Sequence, residues 1–348
     1  MGKGRSFKEY IKKRFDNEFW AIAEEYLNNT PETIEKLSFN LRRPGDFEIT
    51  DVCVEHLWID DKPGMEIHFD VALSVTIEVQ EGDYHYDDCD ERTFWLMLNC
   101  RGDIEKEFAD FEILDYEAYS GKNRIENPMD DSLVPYIPYE RMEQEAETFL
   151  KRNYPDALRV PFRGQAPVWV DSTKLAEKMG LQIQSRRIKA DSSVYGQIYF
   201  EDTEVELFDN EMGEDIKAHI AGKTILVDPA MYLLRNLGSV NNTIIHECVH
   251  WDKHRKAFRL EQIFNDSISC ISCEVEGGAT SGISKSSTDY MEKQANQLAP
   301  RIQMPREPFI AKAKEYITTF MRDMNGAHEV DVMQSVIDTL AIDFGVSR

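Results

Sequence analysis

The chain has 348 residues, of which 42% are hydrophobic and 30% charged, and its 64 acidic and 40 basic residues give a formal charge of −24. This profile is typical of a globular protein with two domains and excludes a largely disordered chain. The negative charge argues against nucleic acid or an anionic lipid surface as the main partner, and it favours a neutral or basic protein or peptide.

The N-terminus and the cysteines indicate the compartment. The first residues are basic, but no apolar segment of a signal peptide follows them, and no stretch approaches the length of a membrane span. The six cysteines lack the spacing of a disulfide framework, and Cys270 and Cys273 form the one close pair, a weak zinc signal by itself. We therefore expect a cytoplasmic protein with reduced thiols and no membrane partner.

The first domain is predicted to be an antiparallel sheet with a covering helix. Residues 7–27 place apolar side chains three and four positions apart, which predicts an amphipathic helix. Residues 65–79 alternate apolar and polar side chains, which predicts a long strand with one buried face. Shorter strands are predicted over 47–59, 92–99 and 108–115. Turn-forming residues between 120 and 138 predict a connection, so the domains are assigned to 1–125 and 135–348.

The second half mixes helices and strands, which makes the whole chain α+β. Helices are predicted over 139–153 and 171–179, the latter with Asp171 as N-cap and Gly180 at its end. Another helix is predicted from about Val240, since no Pro or Gly follows as far as Gln262. Its candidate caps are Ser239, Asn241 and Asn242. Short strands are predicted at 194–200, 204–208 and 224–227.

The chemistry of the second half is carried by the run His246-Glu247-Cys248-Val249-His250. Two histidines four residues apart leave the same face of a helix, so they can share one metal ion. Glu247 is adjacent but rotated, where its carboxylate can reach a water at an open position of the metal. A catalytic zinc centre needs one further protein ligand.

Glu292 is the predicted third ligand. It begins a helical stretch whose small residues would allow close approach to another helix. Asn296, one turn later, is predicted to hydrogen-bond a ligand histidine. Glu274, Glu276 and Asp289 are the rival ligands, and they lie in or beside a stretch rich in Gly and Ser.

His254 continues the four-residue spacing by one more turn. A straight helix touching one ion supplies ligands from only about two turns, so His254 is predicted to support a ligand or to face the substrate. The arrangement with a third histidine six residues after His250, as in metzincins, is excluded because Lys253 and Lys256 stand at the required positions.

The paired motifs resemble those of the ImmA/IrrE metallopeptidases of bacteria, phages and mobile elements, over about 135–348. That family has HExxH followed by ExxAN and a further apolar pattern, and the matching residues here are Glu292, Ala295, Asn296, Leu298, Ala299, Ile302, Met304 and Pro305. The chain departs from the pattern at Leu298, at Pro300, at Gln303 and through an insertion around 265–288.

The resemblance implies a zincin-like α+β metallopeptidase domain that binds Zn²⁺ through His246, His250 and Glu292. It further implies a zinc-bound water as nucleophile, Glu247 as general base, and an intracellular regulatory protein or repressor as substrate. Support for the oxyanion is open among Tyr232, His254 and Tyr290. Two alternatives remain: a zinc-binding regulatory or interaction protein without turnover, and a hydrolase of a non-peptide amide. The N-terminal domain has no counterpart in the family motif.

Overall fold

A computed structural model of the protein describes residues 6–37, 40–82, 89–126, 128–264, 270–274, 287–324 and 328–347. The chain divides into two compact units. The first comprises Met1–Tyr136 with Arg259–Phe264, and the second comprises Ile137–Phe258 with Asn265–Arg348. The break after Tyr136 lies in the segment 120–138 that is rich in turn-forming residues.

The first unit is a curled antiparallel sheet with helices against one face. Its helices are α1 (Phe7–Arg14), α2 (Asp16–Asn29) and α3 (Glu32–Lys36). Its strands are β1 (Pro44–Asp60), β2 (Glu66–Glu81), β3 (Cys89–Asp103), β4 (Glu112–Ala118) and β5 (Pro128–Met129). They lie in the order β4-β3-β2-β1-β5, and every pair is antiparallel. Register shifts in the β1–β2 and β3–β4 ladders interrupt the pairing, and such irregularities bend a sheet.

The alternation in β2 gives the sheet its buried face. The apolar side chains of this strand are fully buried, namely Ile67, Phe69, Val71, Leu73, Val75, Ile77 and Val79. The helices cover this face: the Phe7 ring meets the Phe69 ring edge-on at 5.4 Å, and Phe15 stacks on Phe111 at 3.8 Å. The antiparallel sheet with helical cover predicted for the first half is therefore confirmed.

Two boundaries in this unit differ from the sequence prediction. The helix expected over 7–27 is two helices, because Phe15 leaves the helical conformation with φ −121° and ψ 25°. The strand expected over 108–115 begins only at Glu112, since Phe108 has a φ of 58°, which a strand does not allow. The Phe108 ring occupies the space beside Gly102, where a Cβ would lie 2.4 Å from the ring.

The second unit combines helices with a small sheet. Its helices are α4 (Met142–Asn153), α5 (Ser172–Lys178), α6 (Ala230–Leu234), α7 (Leu237–Lys253), α9 (Ser287–Gln303), α10 (Arg306–Asp323) and α11 (Glu329–Phe344), while α8 (Arg255–Phe264) begins in this unit and ends in the first. Its strands are β6 (Gln182–Ser185), β7 (Val194–Tyr199), β8 (Thr203–Asp209), β9 (Glu214–Ile220), β10 (Thr224–Val227) and β11 (Cys270–Glu274).

The small sheet supports α7 from one side. The strand order is β11-β7-β10-β6, with β6 parallel to β10 and the other pairs antiparallel, while β8 and β9 form a separate hairpin. Helix α7 contacts β7 and β10, and it also contacts α5 and α9. Helices α10 and α11 pack on each other through a cluster that includes Val332, Val336, Leu340 and Phe344. Helix α7 is therefore enclosed on several sides.

Local signals in this unit agree with the structure at several points. Asp171 caps α5 by accepting hydrogen bonds from the backbone N–H groups of Thr173 and Lys174, and Gly180 follows the helix with a φ of 75°. The helix predicted over 139–153 begins with a 3-10 turn before α4. Among the described residues, none of the helices combines the length and hydropathy that crossing a bilayer requires.

Candidate metal centre

Helix α7 carries the two histidines of the motif. It begins earlier than the candidate caps Ser239, Asn241 and Asn242 predict, because the side chain of Asn236 accepts a hydrogen bond from the Ser239 N–H at 3.0 Å. The helix ends at His254, whose N–H donates to the His250 carbonyl at 2.9 Å. Its buried residues include Val240, Ile244, Ile245, Cys248 and Val249. The histidine run is therefore held in a packed helix.

His246 and His250 point their Nε2 atoms at the same place. The two atoms are 3.0 Å apart, and the rings are 1% and 0% exposed. The two rings are not simply packed among apolar side chains, because each directs its Nε2 toward the other. Two buried imidazoles in this arrangement need a shared proton or a shared ion.

Glu292 on α9 completes the group. Its Oε2 lies 3.2 Å from His246 Nε2, and its Oε1 lies 3.3 Å from His250 Nε2. The ligand atoms of the three residues all fall within 4.8 Å of one another, and among the described residues this is the group that could hold a metal ion. Oε1 is close to His250 without the geometry of a hydrogen bond, so it has no hydrogen-bond partner among these residues.

The spacing of the three atoms suits a small cation. Zinc bonds of 2.0–2.1 Å in a tetrahedron put the ligand atoms about 3.3 Å apart. The two Nε2 atoms are 3.0 Å apart, and each lies close to a different oxygen of Glu292, His246 Nε2 3.2 Å from Oε2 and His250 Nε2 3.3 Å from Oε1. The unpartnered Oε1 and the donor set of two nitrogens and one carboxylate therefore fit a metal such as zinc.

Electrostatics favour an ionised Glu292 and a neutral His250. Burial raises the pKa of Glu292, but its contacts with His246 and His250 outweigh burial and hold the pKa well below its ordinary value of 4.5. Burial lowers the pKa of His250, with a smaller opposing contribution from Glu292. An ionised carboxylate beside a neutral imidazole is what a metal ligand set requires.

Asp289, the rival ligand whose side chain the structure describes, does not join this group. Asp289 is exposed on α9, and its carboxylate is not among the three converging ligands. Glu276 lies outside the described residues, and for Glu274 only the backbone in β11 is described, as it is for Cys270 and Cys273.

Glu247 is fully buried with no hydrogen-bond partner for either carboxylate oxygen among the described residues. Burial raises the pKa of Glu247 well above its ordinary value, and the charge of Glu292 adds to this effect. The carboxylate lies against β7 at Gly196, where a Cβ would be 2.9 Å from Oε1. A buried carboxylate without a protein partner is costly, so its environment suits a polar group supplied from outside the chain.

The two predicted supporting residues have different outcomes. His254 does not face the exterior: it is 0% exposed, with Nδ1 3.0 Å from His250 Nδ1 and Nε2 2.8 Å from Gln294 Oε1. With both ring nitrogens engaged, it cannot turn to a substrate or an oxyanion. Asn296 is exposed on α9, and within the described part of the chain no hydrogen bond joins it to His246 or His250. In this structure Asn296 does not contact either histidine, and its supporting role stays a prediction.

Sequence reasoning missed Gln294 and Gly196. Gln294 is fully buried although it is polar, and it stands between the buried Met291 and Ala295. A polar residue inside an apolar stripe is the signal that could have found it. Gly196 follows a Tyr at the start of β7, and a glycine inside a strand is a known sign of a close approach.

The sequence was compared with models of protein families and with curated proteins, and neither comparison found a match.

Proposed function

We propose that this chain is a zinc-dependent endopeptidase whose metal is held by His246, His250 and Glu292. The observation that carries the proposal is the convergence of these three side chains from α7 and α9, whose ligand atoms all lie within 4.8 Å of one another. Two histidines and a glutamate form a ligand set of hydrolytic zinc centres, which keep a fourth position open. We also propose that the second unit has the zincin-like fold that the motif resemblance implies.

When bound, the metal would supply Lewis acidity and a water that ionises near neutral pH. The chain's own contribution begins with Glu247. Its carboxylate is adjacent in sequence to His246, buried, and without a hydrogen-bond partner among the described residues. Such a group can accept a proton from an attacking water and return it to the leaving amine of the peptide. Burial raises the pKa of Glu247, which favours its taking up a proton.

The proposed substrate is a peptide segment of another protein, and a regulatory protein or repressor is the class that the motif resemblance suggests. The charge of −24 supports a neutral or basic segment, because a negative surface attracts positive charge and repels acidic chains.

Metal content tests the ligand set. Purified wild type, Glu292→Ala and Asp289→Ala would be analysed for zinc after equal dialysis. We expect zinc at one per chain in the wild type and in Asp289→Ala, and its loss from Glu292→Ala. Equal zinc in all three proteins would remove Glu292 from the site.

Cleavage tests the reaction. Wild type and Glu247→Gln would each be added to a lysate of the source cells, and new protein N-termini would be labelled and sequenced. The wild type should create termini that are absent with Glu247→Gln and with a chelator. A zinc-loaded wild type that creates none would favour the alternative, a zinc-binding regulatory protein without turnover. New termini with Glu247→Gln would refute the general-base assignment.

A further inference from the structure

His254 and Gln294 form a buried pair next to the candidate centre. Neither belongs to the group of His246, His250 and Glu292, and both are 0% exposed. His254 Nδ1 lies 3.0 Å from His250 Nδ1, and His254 Nε2 lies 2.8 Å from Gln294 Oε1. The two contacts join α7 to α9 through a continuous line of hydrogen bonds that begins at His250.

The protons in this line are fixed by elimination. A neutral imidazole has one N–H and one lone pair. If His250 binds metal through Nε2, its proton must lie on Nδ1. Within the described part of the chain this proton faces His254 Nδ1 at 3.0 Å, which must accept it. The His254 proton is then on Nε2, where Gln294 Oε1 accepts it. Every ring nitrogen of both histidines has a partner in this arrangement.

The reverse direction is incompatible with metal at the site. If His254 donated from Nδ1, His250 would carry its proton on Nε2, the atom that faces His246 and Glu292. A protonated nitrogen has no lone pair for a cation. His250 can therefore bind metal only when the hydrogen bond runs from His250 Nδ1 to His254 Nδ1.

We propose that His254 and Gln294 are positioning residues that hold His250 in the tautomer with the proton on Nδ1 and a free lone pair on Nε2. The inference rests on the proposed metal centre. Hydrogen bonds to the second ring nitrogen of a ligand histidine fix its tautomer and orientation, and losing such a partner typically lowers metal affinity 10- to 100-fold. Here the partner is another neutral imidazole, itself held by an amide.

A purely packing role for His254 makes a different prediction. Leucine fills a similar space but offers no acceptor, whereas the Oδ1 of asparagine falls near the place of the histidine Nδ1 and can accept from His250. His254→Leu and His254→Asn therefore separate the acceptor from the volume. Lys293→Ala, an exposed change on α9, is the matched control.

The test measures zinc dissociation constants by competition with a chromogenic chelator at pH 7.5. His254→Leu should bind zinc about 10- to 100-fold more weakly, His254→Asn should recover most of that loss, and Lys293→Ala should match the wild type. Gln294→Leu should weaken binding without any change to His254 itself. If all three variants at His254 and Gln294 bind as tightly as the wild type, the positioning role is refuted.

Nitrogen NMR of the histidine rings in zinc-loaded wild type gives an answer that does not depend on variant folding. We expect the proton of His250 on Nδ1 and that of His254 on Nε2. A proton on His254 Nδ1 would overturn the inference. Wild type that binds no zinc would overturn this inference together with the proposed function. Zinc binding that His250→Ala abolishes and His254→Leu leaves unchanged would overturn this inference alone.

Discussion

Gly196 lets the backbone of β7 touch the carboxylate of Glu247. A Cβ at this position would lie 2.9 Å from Glu247 Oε1 and 2.5 Å from Thr243 Cγ2. The carboxylate of the proposed general base therefore has its space because position 196 carries no side chain. Its position depends on β7 as well as on α7.

Gly196→Ala should lower the cleavage rate about 100-fold while zinc content stays at the wild-type level, because displacing a catalytic group by about 1 Å has an effect of that size. The rate would be measured on a peptide that spans a cleavage site found in the lysate. The double variant Gly196→Ala/Thr243→Ser removes the methyl overlap but keeps the overlap with Glu247, so it should remain slow. Full recovery in the double variant would show that Thr243 alone caused the defect.

The ion pair on α10 should make stability depend on pH. Lys312 Nζ lies 2.9 Å from Glu315 Oε2 and also donates to the Gln165 carbonyl at 3.0 Å, and Glu315 Oε1 accepts the Gly164 N–H at 2.8 Å. The hydrogen bond from Lys312 lowers the pKa of Glu315 below 4.5. A carboxyl with a lowered folded-state pKa stabilises the fold above its unfolded value and loses that contribution as the pH falls through the folded value.

Glu315→Gln should therefore cost about 1 kcal/mol at pH 7, and the difference from wild type should shrink between about pH 4.5 and pH 3. Urea unfolding of both proteins in a chelator, at pH 7 and at about pH 3, measures this difference in the free energy of unfolding. Glu307→Gln makes the same charge change on the same helix at an exposed position and serves as the control. A difference that is constant across this range would contradict the lowered pKa.

Gln303 stands where the family motif has an apolar residue, and its side chain hydrogen-bonds backbone carbonyls. Its Nε2 donates to the Gly345 carbonyl at 2.9 Å and lies 3.4 Å from the Gly238 carbonyl, with the side chain 2% exposed. Gln303→Leu should lower the free energy of unfolding by about 1–2 kcal/mol, because buried carbonyls lose a donor. Zinc content should not change. Denaturant melts beside Asn296→Ala test this, and an unaltered midpoint for Gln303→Leu would contradict it.

The first unit should depend on the buried face of β2. Leu73 is 0% exposed in the middle of the strand, so Leu73→Ala should cost about 2–5 kcal/mol through lost burial and a cavity. Gln80→Ala, on an exposed position of the same strand, should change stability by less than about 0.5 kcal/mol. Equal effects of the two changes on the unfolding midpoint would mean that β2 does not form the core of this unit.

The sequence predicted the structure correctly where the regular repeat of side-chain directions along a strand or a helix determines it. The two-residue alternation over 65–79 predicted β2, and the four-residue spacing of His246 and His250 predicted that their rings meet. It failed where packing between elements decides. The apolar spacing over 7–27 continues across Phe15, so the break between α1 and α2 leaves no periodic signal. Likewise Asp70, expected on the wet face of β2, is buried and accepts hydrogen bonds from Asn99 and the Arg124 N–H.

Helix α9 of the candidate site shows the same contrast between what residue spacing predicts and what packing determines. The motif resemblance pointed to Glu292 and to Asn296 one turn later, but the rotation of α9 about its axis is set by the burial of Met291, Ala295 and Leu298. That rotation turns Gln294 toward His254 and leaves Asn296 exposed. Sequence spacing identifies which residues share a face, while the partner helix decides which face is buried.

Glu292 reaches the histidines from a helix that follows α8 and β11 in the chain, so an ion shared by α7 and α9 would act as a cross-link between distant points of the polypeptide. Such an ion binds the folded chain and not the unfolded one, so its binding free energy would add to the stability of the fold. Metal supply would then set how long each copy of the protein survives, because a metal-starved chain opens more often and is degraded sooner.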